Sequence, residues 1–405
     1  MVPKVLASLV LTTALVVPAL ASDLPVTPPH PAGDARLHYV PPVGDAERTQ
    51  PSVDDHFAAF APTTDPIRHR IDYEIWDWAL KNMVLAMGPS NRAIARRPDP
   101  ITGSRRNHGP QSAYRLEGSL VLFRFFDRQV IDSFTAYRRD LEQVSDTLDI
   151  AALPRNEQLA FWLNLHNVAL LEQIAREWPV RQPHEIMIDG VPLDEARFIT
   201  VKGIPVSLRD IRENIVYRHW KSPKVIYGFW RGTIGGPELQ RHAFTGANVS
   251  SLLDVAALDF VNSLRGAQQR GDTLAVSELY AEVAPFYFPD FEKDLRAHLA
   301  TYAEAPVTRL LARTSAASAT IREADLADLH GGARPPNYLS VGVLPGAMDD
   351  PLIGCPERVG PAACQLTYER ARKLQTMARR GQPTGRVFFS NIDLPGDPPN
   401  KNAVE

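Results

Sequence analysis

Four side chains in this sequence carry chemistry that their surroundings do not explain. Asn164, His166 and Asn167 stand within one turn of an otherwise apolar stretch, "RNEQLAFWLNLHNVALLEQI", residues 155–174. Arg231 opens a glycine-rich stretch, "RGTIGGP", with Gly232, Gly235 and Gly236 close behind. An imidazole flanked by carboxamides can move a proton or orient a bound group. A guanidinium beside glycines, with open backbone N–H groups, suits an anion. The same residues have a plain structural use. Two amides can tie loops to a core helix, and a glycine-rich turn can simply pack.

Any such chemistry depends on the elements that position it. With residues about 100° apart on a helix, Leu159, Leu163, Leu170, Leu171 and Ile174 fall on one side. Phe161, Leu165 and Val168 fall on the other, with Trp162 and Ala169 between. A helix apolar all round is buried on all sides. Asn164 and Asn167, three apart, share a face and are predicted to be buried. An unpaired buried amide costs about 1–3 kcal/mol, so each needs a loop backbone, a side chain or a water. Pro154 suits the start of this helix and Pro179 ends it. "KVIYGFW" predicts a short buried strand that carries Arg231 to an edge of the core. Arg231, Asn164, His166 and Asn167 are then expected to line or underlie one shared pocket.

Around this centre the pattern alternates. "IRHRIDYEIWDWALKNMVLAMG", the run from Ser119 to "VSDTL", "SLRDIRENIVYRHW" with Ser207 as cap, "TGANVSSLLDVAALDFVNSLRG" with Thr245 as cap, "DFEKDLRAHLATYA" and "TYERARKLQTMARR" read as helices. "HEIMIDG", "FITVKGIPV" and "DTLAVSELY" read as strands. The expected fold class is α+β: a helix-rich single domain around a buried central helix, with a small β-sheet.

The 405 residues are 44% hydrophobic and 22% charged, with a net charge of −3. That balance supports a globular core and argues against a nucleic-acid partner. Residues 1–21 have the form of a signal peptide: Lys4, an apolar run over residues 5–17, and Ala19-Leu20-Ala21 as the cleavage site. The protein is expected to be exported, periplasmic or extracellular, without stable membrane insertion after cleavage. Residues 22–64 read as a Pro-rich arm or linker, 65–330 as the domain, and 331–405 as an irregular extension. Cys355 and Cys364 are the two cysteines, and an exported chain permits a disulfide between them. No spacing suggests a metal site, no cofactor is expected, and neither Gly-x-Ser-x-Gly nor HExxH appears.

"NEQLAFWLNLHNVALLEQI" resembles the N-E-x-x-A-F-W-I-N-x-Y-N signature of the domain of unknown function 547 family. "GIPVSLRDIRENIV" resembles that family's Ser-Leu-Asp-Asp-Ile-Glu segment. "SPKVIYGFWRGTIGGPELQRHAFTGANVSS" is similar to its Asp-Pro-Arg-Val-His-Phe-Ala-Leu, Cys-Gly-x-x-Ser-Cys-Pro and Ala-Tyr-Thr segments. The resemblance covers residues 150–265. It implies an exported bacterial protein, with a distant likeness to papain-like or transglutaminase-like folds. Ile226 stands where the family's histidine would be, and Arg231 and Gly236 stand where its two cysteines would be. His166 replaces the tyrosine. A thiolate nucleophile needs a cysteine and a base, and this segment has neither. The expected function is therefore noncatalytic binding or scaffolding through an inherited cleft, for a small molecule or an envelope protein. The alternative is a hydrolase or transferase that draws on His166, His219, His242, Asp210 or Glu213.

Overall fold

The computed structural model describes residues 55–63, 69–96, 109–333, 360–392, 396–398 and 401–405. Residues 1–54, which hold the expected signal peptide and most of the expected arm, and Cys355 lie outside the described residues. Helix α3, Arg155–Glu177, is the axle. It is buried continuously from Asn156 to Glu172, as its all-round apolar pattern requires. Pro154 precedes it, and the Pro154 carbonyl accepts the N–H groups of Glu157 and Gln158.

Helix α1, Glu74–Met83, runs into β1, Val84–Ala86, which pairs antiparallel with β2, Ser119–Val121. The sequence pattern predicts a helix from Ser119 onward. A strand forms instead because Val121 is held between the Ala327 carbonyl and the Leu329 N–H. Helix α2, Arg128–Thr147, begins only after Asp127 caps it through the Val130 N–H. It lies on α3 through a buried ionic clamp. Glu172 is fully buried, accepts from Thr135 Oγ1 at 2.8 Å, and pairs with Arg138 and Arg176. A buried carboxylate tolerates its position only when paired in this way.

Two hairpins follow α3. Strands β3, Met187–Ile188, and β4, Val191–Pro192, turn at Asp189-Gly190. Strands β5, Ile199–Val201, and β6, Ile204–Val206, turn at Lys202-Gly203. All four turn residues have positive φ, the geometry of two-residue hairpin loops. After β6 the chain forms a helix as expected. Ser207 Oγ accepts the Asp210 N–H, and Asp210 Oδ2 accepts the Ser207 N–H, both at 3.0 Å. This reciprocal cap opens a π-helical stretch, Asp210–Val216, that runs into the short α4, Tyr217–His219.

"KVIYGFW" is buried, as expected, but it is not a strand. Pro223–Gly228 is a 3-10 helix, with Phe229 and Trp230 extended behind it. Pro223 favours a helical start and donates no ladder hydrogen bond. Gly228 lies so close to Leu163 and Leu253 that a Cβ would fall 2.7 and 2.9 Å from their methyls. Helix α5, Val249–Val261, is preceded by a turn in which Thr245 Oγ1 accepts the Asn248 N–H. Strands β7, Ala267–Arg270, β8, Thr273–Ser277, and β9, Ala316–Ile321, form a sheet, with β7–β8 antiparallel and β8–β9 parallel. Between β8 and β9 come α6, Glu278–Tyr287, α7, Phe291–Tyr302, and α8, Ala305–Arg313. Helix α9, Pro361–Arg379, contains Cys364, which is disulfide-bonded.

The described residues form a helix-rich α+β domain. Instead of one small sheet they hold four, three of them two-stranded, each patched onto the helical core. No helix among the described residues is long and apolar enough to cross a membrane.

Candidate functional site

Asn164 and Asn167 are 1% and 3% exposed, and each clamps a loop. Asn164 donates to the Phe244 carbonyl at 2.7 Å and accepts the Phe244 N–H at 3.1 Å. Asn167 donates to the Gly228 carbonyl at 2.9 Å and accepts the Trp230 N–H at 3.1 Å. These two carboxamides act like a strand edge for two loops that have no strand beside them. They explain how the 3-10 segment and the turn before α5 satisfy backbone groups deep in the core.

His166 is fully buried between these clamps. Its Nδ1 lies 3.0 Å from Asn167 Oδ1, and its Nε2 lies 3.0 Å from Arg212 Nη1. A carboxamide oxygen and a guanidinium have one role each. His166 therefore donates from Nδ1 and accepts at Nε2, which makes it the neutral Nδ1–H tautomer. Burial, then the charges of Arg212 and Arg231, hold its pKa well below the ordinary imidazole range. The ring meets Phe229 edge-on at 4.9 Å.

Arg212 is 1% exposed and also holds Asp194 at 2.7 Å through Nη2. Burial alone would raise the Asp194 pKa, but the charge and hydrogen bond of Arg212 outweigh it and hold the carboxyl below its usual range. Arg231 pairs with Glu282 of α6. Here too burial opposes ionisation, while Arg231 and Arg212 together lower the Glu282 pKa. Burial pushes Glu213 up, and it pushes the Tyr217 hydroxyl up to about 12. The result is an interlocked group in which two guanidiniums serve carboxylates and an imidazole.

The glycine-rich loop spends the N–H groups of Ile234, Gly235 and Gly236 on the protein's own carbonyls rather than on an anion. The Ile234 and Gly235 N–H groups donate to the carbonyls of Asp325 and Glu323, and Gly236 donates to Thr233. The Gly232 carbonyl accepts the Ala327 N–H. Gly232 has φ +75°, and a Cβ there would fall 2.7 Å from Ile174 Cδ1. The loop is thus zipped to residues 323–327 and packed on the C-terminal part of α3. His166, Asn167 and Arg231 come into one neighbourhood. Asn164 serves a different loop, and Gly235 and Gly236 face Glu323 and Arg231.

Sequence reasoning missed Arg212, Asp194 and Glu282. Arg212 left a signal, because it occupies the last position of the segment that resembles Ser-Leu-Asp-Asp-Ile-Glu. Positions 166, 212 and 231 thus gather in one cluster. Asp194 sits in the connection between two hairpins and Glu282 on a later helix, and neither carries a local pattern.

A cleft of about 510 Å³ opens elsewhere on α3. Tyr73, Asp77, Glu157, Thr245, Ala247 and Asn248 are among its walls, with Asp72 and Glu74 at α1's approach. It lies where Glu157 of the helix signature meets the turn that Asn164 clamps. At its rim, His242 Nδ1 is 3.2 Å from Asp77 Oδ1, and the His242 ring meets Phe388 at 4.9 Å. Of the other acid–base candidates, His219 is lowered by burial and by Arg155. Asp210 is tied to Ser207, Arg197 and Asn214. Among the described residues no group of His, Cys, Asp and Glu is arranged to hold a metal ion.

Neither the curated proteins nor the solved structures gave a match to this chain. Residues 150–261, from the turn ahead of α3 to the last residue of α5, match the family model described as protein of unknown function, DUF547.

Proposed function

We propose that this chain is an exported, noncatalytic binding protein whose ligand enters the acid-lined cleft between α1, the head of α3 and the turn before α5. The observation that carries the reading is the capping of His166. Its only basic lone pair accepts from Arg212, so at neutral pH it has none with which to take a proton from a substrate. The neighbouring position 231, which resembles a cysteine site in the family, holds a guanidinium paired to Glu282. The cleft supplies space on the scale of small-molecule sites, and although Arg70 shares its walls and Lys81 pairs with Asp77, the four carboxylates Asp72, Glu74, Asp77 and Glu157 leave an acidic excess that favours a cationic ligand. Export rests on the tripartite form of residues 1–21.

Titration calorimetry with primary amines and short cationic peptides tests this reading. Saturable heat, weakened in an Asp72→Asn/Glu74→Gln variant, with the ligand recovered unchanged, supports it. Conversion of the ligand to a new product would overturn it.

A second reading is a hydrolase or transferase that uses a His/carboxylate pair. The specific observation in its favour is His242 beside Asp77 at the cleft rim. Turnover that disappears in His242→Ala, with binding retained, would establish it.

A further inference from the structure

Helix α3 carries a third carboxamide clamp at its head, and what it holds comes from far along the chain. Asn156 is buried. Its Nδ2 donates to the Asn402 carbonyl at 3.0 Å, and its Oδ1 accepts the Val404 N–H at 2.8 Å. This is the same i, i+2 grip that Asn167 has on Gly228 and Trp230. Close by, the Ser222 N–H donates to the Glu405 carbonyl. Val404 is 2% exposed. Arg155, next to Asn156, lies over the Trp220 ring at 4.9 Å and is influenced by the charge of Glu405.

Asn164 and Asn167 grip loops inside residues 150–261. Asn156 grips residues that lie well outside that match. The contacts are those by which a short peptide is recognised: backbone groups read by a fixed amide and a fixed N–H, one aliphatic side chain buried, and one acidic residue near an arginine.

We propose that the Asn156–Ser222 clamp is a binding site for a short peptide with an aliphatic residue followed by an acidic one, and that residues 402–405 are its built-in occupant. This site is separate from the cleft reading and does not depend on it. A tethered occupant competes at an effective concentration on the order of millimolar. An outside peptide therefore binds well only when the resident segment is weakened.

The test uses the full chain and a fluorescein-labelled Lys-Asn-Ala-Val-Glu peptide, read by anisotropy. A Val404→Asp chain, whose own segment no longer seats, should bind the peptide about tenfold or more tighter than the wild-type chain. Replacing the peptide's valine by aspartate should abolish binding. Equal affinity in the two chains, or indifference to the peptide's valine, overturns the proposal. Should Val404→Asp fail to fold by circular dichroism, the wild-type chain still decides. Excess peptide should speed hydrogen exchange at the Val404 amide, and unchanged exchange at saturating peptide rejects the site.

Discussion

Arg212 donates from Nη1 to Nε2 of His166 across 3.0 Å, while its Nη2 holds Asp194 at 2.7 Å. One guanidinium therefore caps a base and balances an acid in the same step. Protonating His166 would set a second cation against Arg212 with no water between them. That relationship turns a histidine with catalytic potential into a fixed neutral acceptor.

Stability should fall on acidification because of His166. Its folded pKa is depressed, chiefly by burial and then by Arg212 and Arg231. The unfolded chain binds the proton first, near the ordinary value of about 6.5. The contribution is thus fully present above that pH and is lost as pH falls toward the folded pKa. The urea midpoint of the wild-type chain should be lower at pH 5.5 than at pH 7.5, with a slope from this residue of at most about 1.4 kcal/mol per pH unit. His166→Gln should flatten that part of the slope. An identical pH dependence in both chains would show that His166 is not held neutral.

Removing the guanidinium should do two separable things. Arg212→Met leaves Asp194 without its strongest partner, and breaking a buried ion pair from one side costs about 3–5 kcal/mol. Part of Asp194 reaches solvent and Arg209 remains beside it, so the lower end is expected. The same change frees Nε2 of His166 and removes the nearest positive charge. The imidazole pKa, followed by NMR, should rise. A loss of stability with no movement of that pKa would mean that burial alone sets it.

Asn164→Leu should lower the denaturant midpoint by the equivalent of about 1–3 kcal/mol. The substitution leaves both the N–H and the carbonyl of Phe244 without their partner. Chemical-denaturation curves of the two chains decide it. An unchanged midpoint would mean that the turn before α5 reorganises to satisfy itself.

The central helix was legible because burial on all sides leaves an all-round apolar pattern, and two amides inside that pattern must find backbone to bind. Those inferences need only the helix's own sequence. The Pro223–Gly228 segment misread as a strand for an opposite reason. A short apolar run does not by itself distinguish a strand from a buried helical turn; Pro223 favours the turn, and its far end is held by Asn167, some sixty residues earlier in the chain. The glycine-rich loop misled in the same way. Its free N–H groups were an inference from composition, while their acceptors, Glu323 and Asp325, lie in a distant segment with no pattern pointing back. The sequence presents Arg231 as suited to an anion, and a carboxylate of the chain itself, Glu282 of α6, takes that place. Ionic partners of that kind are set by tertiary packing, which local spacing does not encode.

The close seat of the glycine-rich loop on α3 can be separated from its backbone strain. Gly232 and Gly190 have nearly the same positive φ, +75° and +80°. An alanine in that region carries strain of about 1–3 kcal/mol wherever it sits. Around Gly190 nothing lies within 4 Å of a built Cβ, so Gly190→Ala should report the strain alone. At Gly232 the same Cβ would meet Ile174 Cδ1 at 2.7 Å and Pro183 Cγ at 2.9 Å. Side chains packed at interior density can give way only by displacing their own neighbours. Gly232→Ala should therefore be the more destabilising by a further ~1–3 kcal/mol, measured as the difference between the two midpoints in guanidinium. Pairing Gly232→Ala with Ile174→Val, which trims the contacted methyl, should recover part of that difference. Equal midpoints for the two alanine variants would mean that the loop can lift off α3, and that Arg231 is not held in register with His166 by packing.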